Sequence, residues 1–296
     1  MHGPILRGSL PLHMTILSTL VCLISPMETF LAPNAKIEKI AGDLQFTEGP
    51  CELRDGSLVF SDIPANKMYR LADGKLTVYR EPSHNANGNV LDAQGRLLTC
   101  EHGARRVERQ ESDGKMTVLA EKFEGKRLNS PNDIVVRKDG TIFFTDPPYG
   151  IRPEQAELGF NGVYAIVGET LKLLDKSFDR PNGLVLSPNE KWLYVADTAK
   201  SHIRRFSVAT DGSVKGGEVW AETRHPDGIR VDTDGRVWSA SGDGVNVISP
   251  EGKVLEIIKF PEQPANLCFS RDGKTLFVTA RTSVYRVGVR VSGIAP

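Results

Sequence analysis

Six residues of this sequence share one register. Glu48, Asn87, Asn132, Asn182, Asp227 and Ala265 each lie eight positions before the matching turn residue of a recurring motif, namely Gly56, Gly95, Gly140, Glu190, Gly235 and Gly273. Five of the six carry a side-chain oxygen, two as carboxylates and three as amides. If the fold gathers them, burying them unpaired is costly, and a hard cation relieves that cost. Calcium suits the set best, because it takes oxygen ligands from Asp, Glu and Asn, tolerates irregular geometry and keeps positions open for water. Glu48 and Asp227 would balance its two charges. Magnesium, manganese or zinc stands second, and the lack of His and Cys in the set argues against zinc and iron. No G-x-S-x-G elbow offers a serine nucleophile. The histidines form no H-x-H or H-E-x-x-H pattern, and His102 and His225 read as structural or surface residues. A plainer reading takes the Asn-Gly and Asp-Gly pairs as turn residues that tolerate left-handed backbone. Glu48, which is not a turn former, and Ala265 weigh against it.

The elements that must position this set are clearest in residues 128–150. A polar Pro131-Asn132-Asp133 lead-in precedes a short apolar strand; then come an Asp139-Gly140 turn, a second apolar strand and Asp146. An Asp-Gly pair supplies the positive φ of a tight hairpin turn. Six copies of this pattern recur, and further β-rich runs between them bring each unit to about four strands. Repeats of roughly 40 to 50 residues without helical periodicity predict an all-β, six-bladed propeller of four-stranded blades, residues 35–291, around a central channel. The lead-in residues would then face one another at one channel mouth. The orphan strand Ala35 to Ile40 is expected to join the last blade and seal the ring, removing an exposed edge.

The 296 residues are 40% hydrophobic and 25% charged, with 37 basic residues cancelling 37 acidic ones and no run of like charge. Nothing marks a nucleic-acid or membrane surface, so the expected partner is a small, roughly neutral or locally compensated molecule. The sequence makes no statement on oligomeric state. Cys22, Cys51, Cys100 and Cys268 are widely spaced and spell neither a disulfide nor a zinc framework. The apolar run Met14 to Ile24 is too short to span a bilayer and lacks a small-x-small cleavage site, so residues 1–26 read as an extension and the cytoplasm is the expected compartment. Export would follow if they act as a signal peptide.

Phe46-Thr47-Glu48-Gly49-Pro50, Ser61-Asp62-Ile63-Pro64-Ala65-Asn66, Cys100-Glu101-His102-Gly103, Ser130-Pro131-Asn132-Asp133 and Thr145-Asp146-Pro147-Pro148-Tyr149-Gly150 resemble the gluconolactonase branch of the senescence marker protein/gluconolactonase/luciferin-regenerating-enzyme family. The resemblance spans roughly 35–291. It implies a six-bladed propeller that hydrolyses sugar lactones with one axial divalent metal, usually calcium. By motif, Glu48, Asn182 and Asp227 would hold the metal, with Asn132 as ligand or substrate contact and Asp227 also as general base. Animal members carry an Arg two positions before that Asn, where this chain has Ser130. Sugar recognition would therefore differ, with Asn129 or Arg127 taking a different part and Asn87 and Asn132 as further substrate contacts. The insert Ile151 to Phe160 would overhang the mouth as a lid, or be a solvated loop. A phosphotriesterase-type hydrolase and a non-enzymatic, calcium-stabilised binding propeller are the rival readings.

Overall fold

The computed structural model describes residues 1, 3 and 29–295, so apart from two positions the expected extension 1–26 lies outside the described residues. Six four-stranded antiparallel sheets follow in chain order. Their innermost strands are Thr47–Glu52, Ala86–Leu91, Ile134–Val136, Pro181–Leu186, Ile229–Val231 and Pro264–Phe269. The chain is a six-bladed β-propeller. Its last sheet takes Glu38–Ala41 as outermost strand, paired antiparallel with Ser283–Gly288 in the register Glu38↔Arg286, which is the expected closure. Residues flanking 35–291 pack on the ring as well: Phe30 meets Trp238 edge-on at 6.1 Å between ring centroids, and the Ile294 amide bonds the Val231 carbonyl at 3.1 Å. Among the described residues no helix is long and apolar enough to cross a membrane.

Local chemistry repeats from blade to blade. In all six copies the turn residue donates its amide to the carbonyl three residues earlier, at 2.8 to 3.0 Å. Its φ is positive throughout, from +56° at Glu190 to +90° at Gly140. Glycine adopts that region without strain. In three of the blades an aspartate ends the second strand and works on a different segment. Asp62 accepts the amides of Gln45 and Phe46, Asp146 that of Asn129, and Asp197 those of Asp179 and Arg180. These carboxylates pin the segment leading into the inner strand of their own blade. They fix the height at which it enters the channel.

The apolar core is divided among the blade interfaces. Six clusters each join two neighbouring blades, such as Trp238 and Val247 with Leu267 and Phe269, or Val90 and Leu98 with Ile134 and Phe144. Alternate residues of each strand face opposite neighbours, so a blade buries both faces. Cys51, Cys100 and Cys268 are buried and free, packed as small hydrophobes within it. The ring is held by packing between blades, and its axis is left to polar side chains.

Candidate active site

The positions in register converge where the inner strands begin. Gly88 donates its amide to the Asn132 carbonyl at 2.8 Å, Gly183 to that of Asp227 at 3.2 Å and Gly228 to that of Ala265 at 2.8 Å, so each link crosses to the next blade. The glycines following the ring residues are needed for this approach. A Cβ at Gly49 would lie 2.0 Å from the Asn87 carbonyl oxygen, at Gly88 2.6 Å from that of Asn132, and at Gly183 2.1 Å from that of Asp227. Of these glycines only Gly49 has positive φ, +49°. The Asn-Gly and Asp-Gly pairs are therefore close-approach pairs between blades, which corrects their reading as left-handed turn residues. Gly183→Ala is expected to cost about 1–3 kcal/mol by overpacking and to displace Asp227. A melting curve coincident with that of the unaltered protein would contradict this.

Glu48, Asn87, Asn132 and Asn182 are all buried, and Asp227 is partly so. Glu48 Oε2 accepts the Asn266 amide at 2.9 Å and the Gly49 backbone amide at 2.8 Å. Burial nevertheless pushes its carboxyl up to about 7, with the Asp133 charge adding to the rise. Asp227 is raised well above the usual carboxylate range, first by burial and then by the charges of Glu48 and Asp133, against a lowering hydrogen bond from Asn182. Asn182 also donates to Thr198 Oγ1 at 3.0 Å, and that hydroxyl donates to the Pro226 carbonyl at 2.6 Å. The chain Thr198–Asn182–Asp227 thus ties blade four to blade five.

Beneath them lies a second layer. Asp133 is fully buried; its Oδ1 accepts the Ile134 amide at 2.9 Å and its Oδ2 faces Arg230 Nη1 at 3.3 Å. Glu48, Asp133 and Asp227 are three carboxyl groups around the single guanidinium of Arg230, which pairs with Asp133; fully ionised, the set would carry two negative charges in excess. Asn87 Oδ1 has no protein partner although it is buried. A divalent cation fits that balance and that donor chemistry. Among the described residues no three His, Cys, Asp or Glu side chains form a metal-holding cluster by themselves, so amides would have to complete the set.

The rim is aromatic and polar. Asn87 Nδ2 lies 3.1 Å from His102 Nε2, and burial lowers His102 to about 4. A neutral ring accepting from Asn87 Nδ2 leaves the Asn87 side-chain carbonyl without a partner among the described residues. His102 also borders a recess of about 400 Å³ with Asn85, Tyr149, Arg152 and Gln155. The insert supplies Ile151, Arg152 and Gln155 to the wall of that open recess.

The sequence matches the SMP-30/Gluconolactonase/LRE-like region over residues 46–282, which is most of the propeller. The chain belongs to this family. It is 32% identical to the gluconolactonase of Zymomonas mobilis over 90% of this chain and 85% of that protein. The solved gluconolactonase of Xanthomonas campestris is 34% identical, covers 88% of this chain and 91% of its own, and has a TM-score of 0.82. More distant is the diisopropyl-fluorophosphatase of Loligo vulgaris, 25% identical over 81% of this chain and 87% of that one.

Within this family propeller, the expected site residues do not all come together. Asn129 is spent elsewhere: its side-chain amide bonds the carbonyls of Phe160 at 2.9 Å and Asp146 at 3.2 Å, and the residue is buried under the insert. Ser130 Oγ likewise donates to the Pro147 carbonyl at 2.5 Å and accepts the Gly150 amide at 2.8 Å. Both residues anchor the insert, and Asn129 Oδ1 is buried with no partner among the described residues. Arg127 is exposed and bonds the Ala104 carbonyl at 2.8 Å. Sequence reasoning missed Asp133, Asn266 and Arg230 and set His102 aside. The register held a signal for all but His102. One place after each ring residue stand Gly49, Gly88, Asp133, Gly183, Gly228 and Asn266, and three places after stand Cys51, Val90, Val135, Val185, Arg230 and Cys268. Two polar side chains among glycines and one charge among small apolar residues mark the second layer.

Proposed function

We propose that this chain is a divalent-cation-dependent hydrolase that opens sugar-type lactones by attack of water on the ring carbonyl. The observation that carries the proposal is the pair of carboxyl groups, Glu48 and Asp227, at the channel mouth of a gluconolactonase-family propeller. Among the described residues no cationic side chain is bonded to them, and burial makes them costly to ionise without a cation. Glu48, Asn182 and Asp227, joined by Asn132, would hold the cation, calcium by preference. When bound, it supplies Lewis-acid polarisation of the lactone carbonyl and balances the charge that develops on its oxygen. Asp227 accepts a proton from the attacking water, its carboxylate oriented by the Asn182 amide. Asn87, held from behind by His102, offers its carbonyl to a substrate hydroxyl, and Asn132 contacts the substrate from the next blade. The Tyr149 ring, stacked against Arg180 with the guanidinium carbon 5.3 Å from the ring centroid, walls the site and limits water around the reacting bond.

The fluorophosphatase relative favours one alternative, attack on a P–F or P–O bond in the same site. Purified protein offered aldonolactones and a fluorophosphate across a series of divalent ions should open the lactones with the higher kcat/KM. A higher value for the fluorophosphate would reverse the assignment, and no turnover of either would return the protein to the binding-propeller reading.

A further inference from the structure

The other end of the inner strands borders a partly open cavity of about 140 Å³ that the proposed reaction does not use. Val90, Ile134, Leu184, Leu186 and Ile294 give it apolar walls, and Arg230 also lines it. Part of its cover is the C-terminal segment, which bridges Asp232 through Gly293 and bonds Val231 through the Ile294 amide. Arg230 is 4% exposed. Its Nη1 is engaged, 2.7 Å from the Ile229 carbonyl and 3.3 Å from Asp133 Oδ2. Its Nε and Nη2 are buried with no protein partner.

Those two nitrogens form one edge of the guanidinium fork, the edge whose parallel N–H groups match the two oxygens of a carboxylate. A buried cation with two of its three nitrogens unpartnered, beside a largely apolar space, favours an anion with an apolar body. Phosphate fits less well, because most of the wall is hydrocarbon, although Lys138, Ser187 and Glu190 also line the cavity. An engineered apolar cavity of about 150 Å³ takes benzene, which sets the size of tail admitted. We propose that this cavity is a second ligand site that binds a small monocarboxylate with a short aliphatic tail, its oxygens on the Nε–Nη2 edge of Arg230.

The probe is pentanoate, titrated calorimetrically into the full chain in excess chelator, so that a cation at the opposite mouth takes no part. Saturable binding is expected, with pentanamide and pentanol at least about tenfold weaker for want of the charge-assisted pair. Val136→Phe fills the cavity from its partly exposed rim and should abolish binding without touching Arg230. Arg230→Met should weaken it by about tenfold or more. That variant leaves Asp133 unpaired and can fail to fold, in which case Val136→Phe and the neutral analogues decide. No saturable binding of pentanoate, equal binding of pentanamide, or unchanged binding by Val136→Phe would overturn the site and leave Arg230 a solvated internal counter-charge.

Discussion

Stripped of divalent cations, the protein is expected to lose at least about 10³-fold in lactone turnover while its propeller stays folded. The loss follows from removing the charge that polarises the carbonyl, and the survival follows from the core. Six inter-blade clusters hold the ring, and none of them contains a proposed ligand. A pH dependence accompanies the stripped form. The Glu48 carboxyl is raised from 4.5 to about 7 by burial, so the folded, cation-free protein holds that proton more tightly than the unfolded chain does. Its contribution to stability is full below about 4.5 and is lost as pH rises through about 7. Cation binding displaces the proton, so the melting temperature gained from calcium should grow across the same interval. Full turnover in excess chelator, with the metal shown to be absent by elemental analysis, would end the cation mechanism.

Asp227→Ala, assayed at saturating cation, should lower kcat by about 10²–10⁴-fold, the usual contribution of a positioned general base. Saturating cation separates this from lost affinity, since added ion repopulates the site but cannot accept the proton. Asp227→Asn keeps the size and an oxygen and should fall as far, whereas Asn87→Ala should lower kcat by no more than about tenfold, the loss of one neutral hydrogen bond. Equal losses at Asn87 and Asp227 would mean that the roles were divided wrongly between the amides and the carboxylate.

The architecture was legible in the sequence because a propeller writes its period into local chemistry. Each blade needs a positive-φ turn and an apolar second strand, three of the six add an aspartate that pins the lead-in, and these features fall at nearly constant spacing whatever the neighbours are. Closure was legible for the same reason: a strand left over before the first copy, Glu38–Ala41, had only one unpaired edge to meet. The ring of Glu48, Asn87, Asn132, Asn182 and Asp227 could be read out because equal register in equal blades means equal height on the axis. Direction across the ring carries no such period. Whether a side chain at the right height turns inward or backs into its own blade depends on what its neighbours leave free. Asn129, three residues from Asn132, spends its amide on the carbonyls of Asp146 and Phe160 because the insert after Asp146 folds back over it. Arg230 and Asp133 meet from blades five and three, 97 residues apart. Only the closed ring could decide that pairing, because a buried charge takes its partner from whatever faces it across the channel.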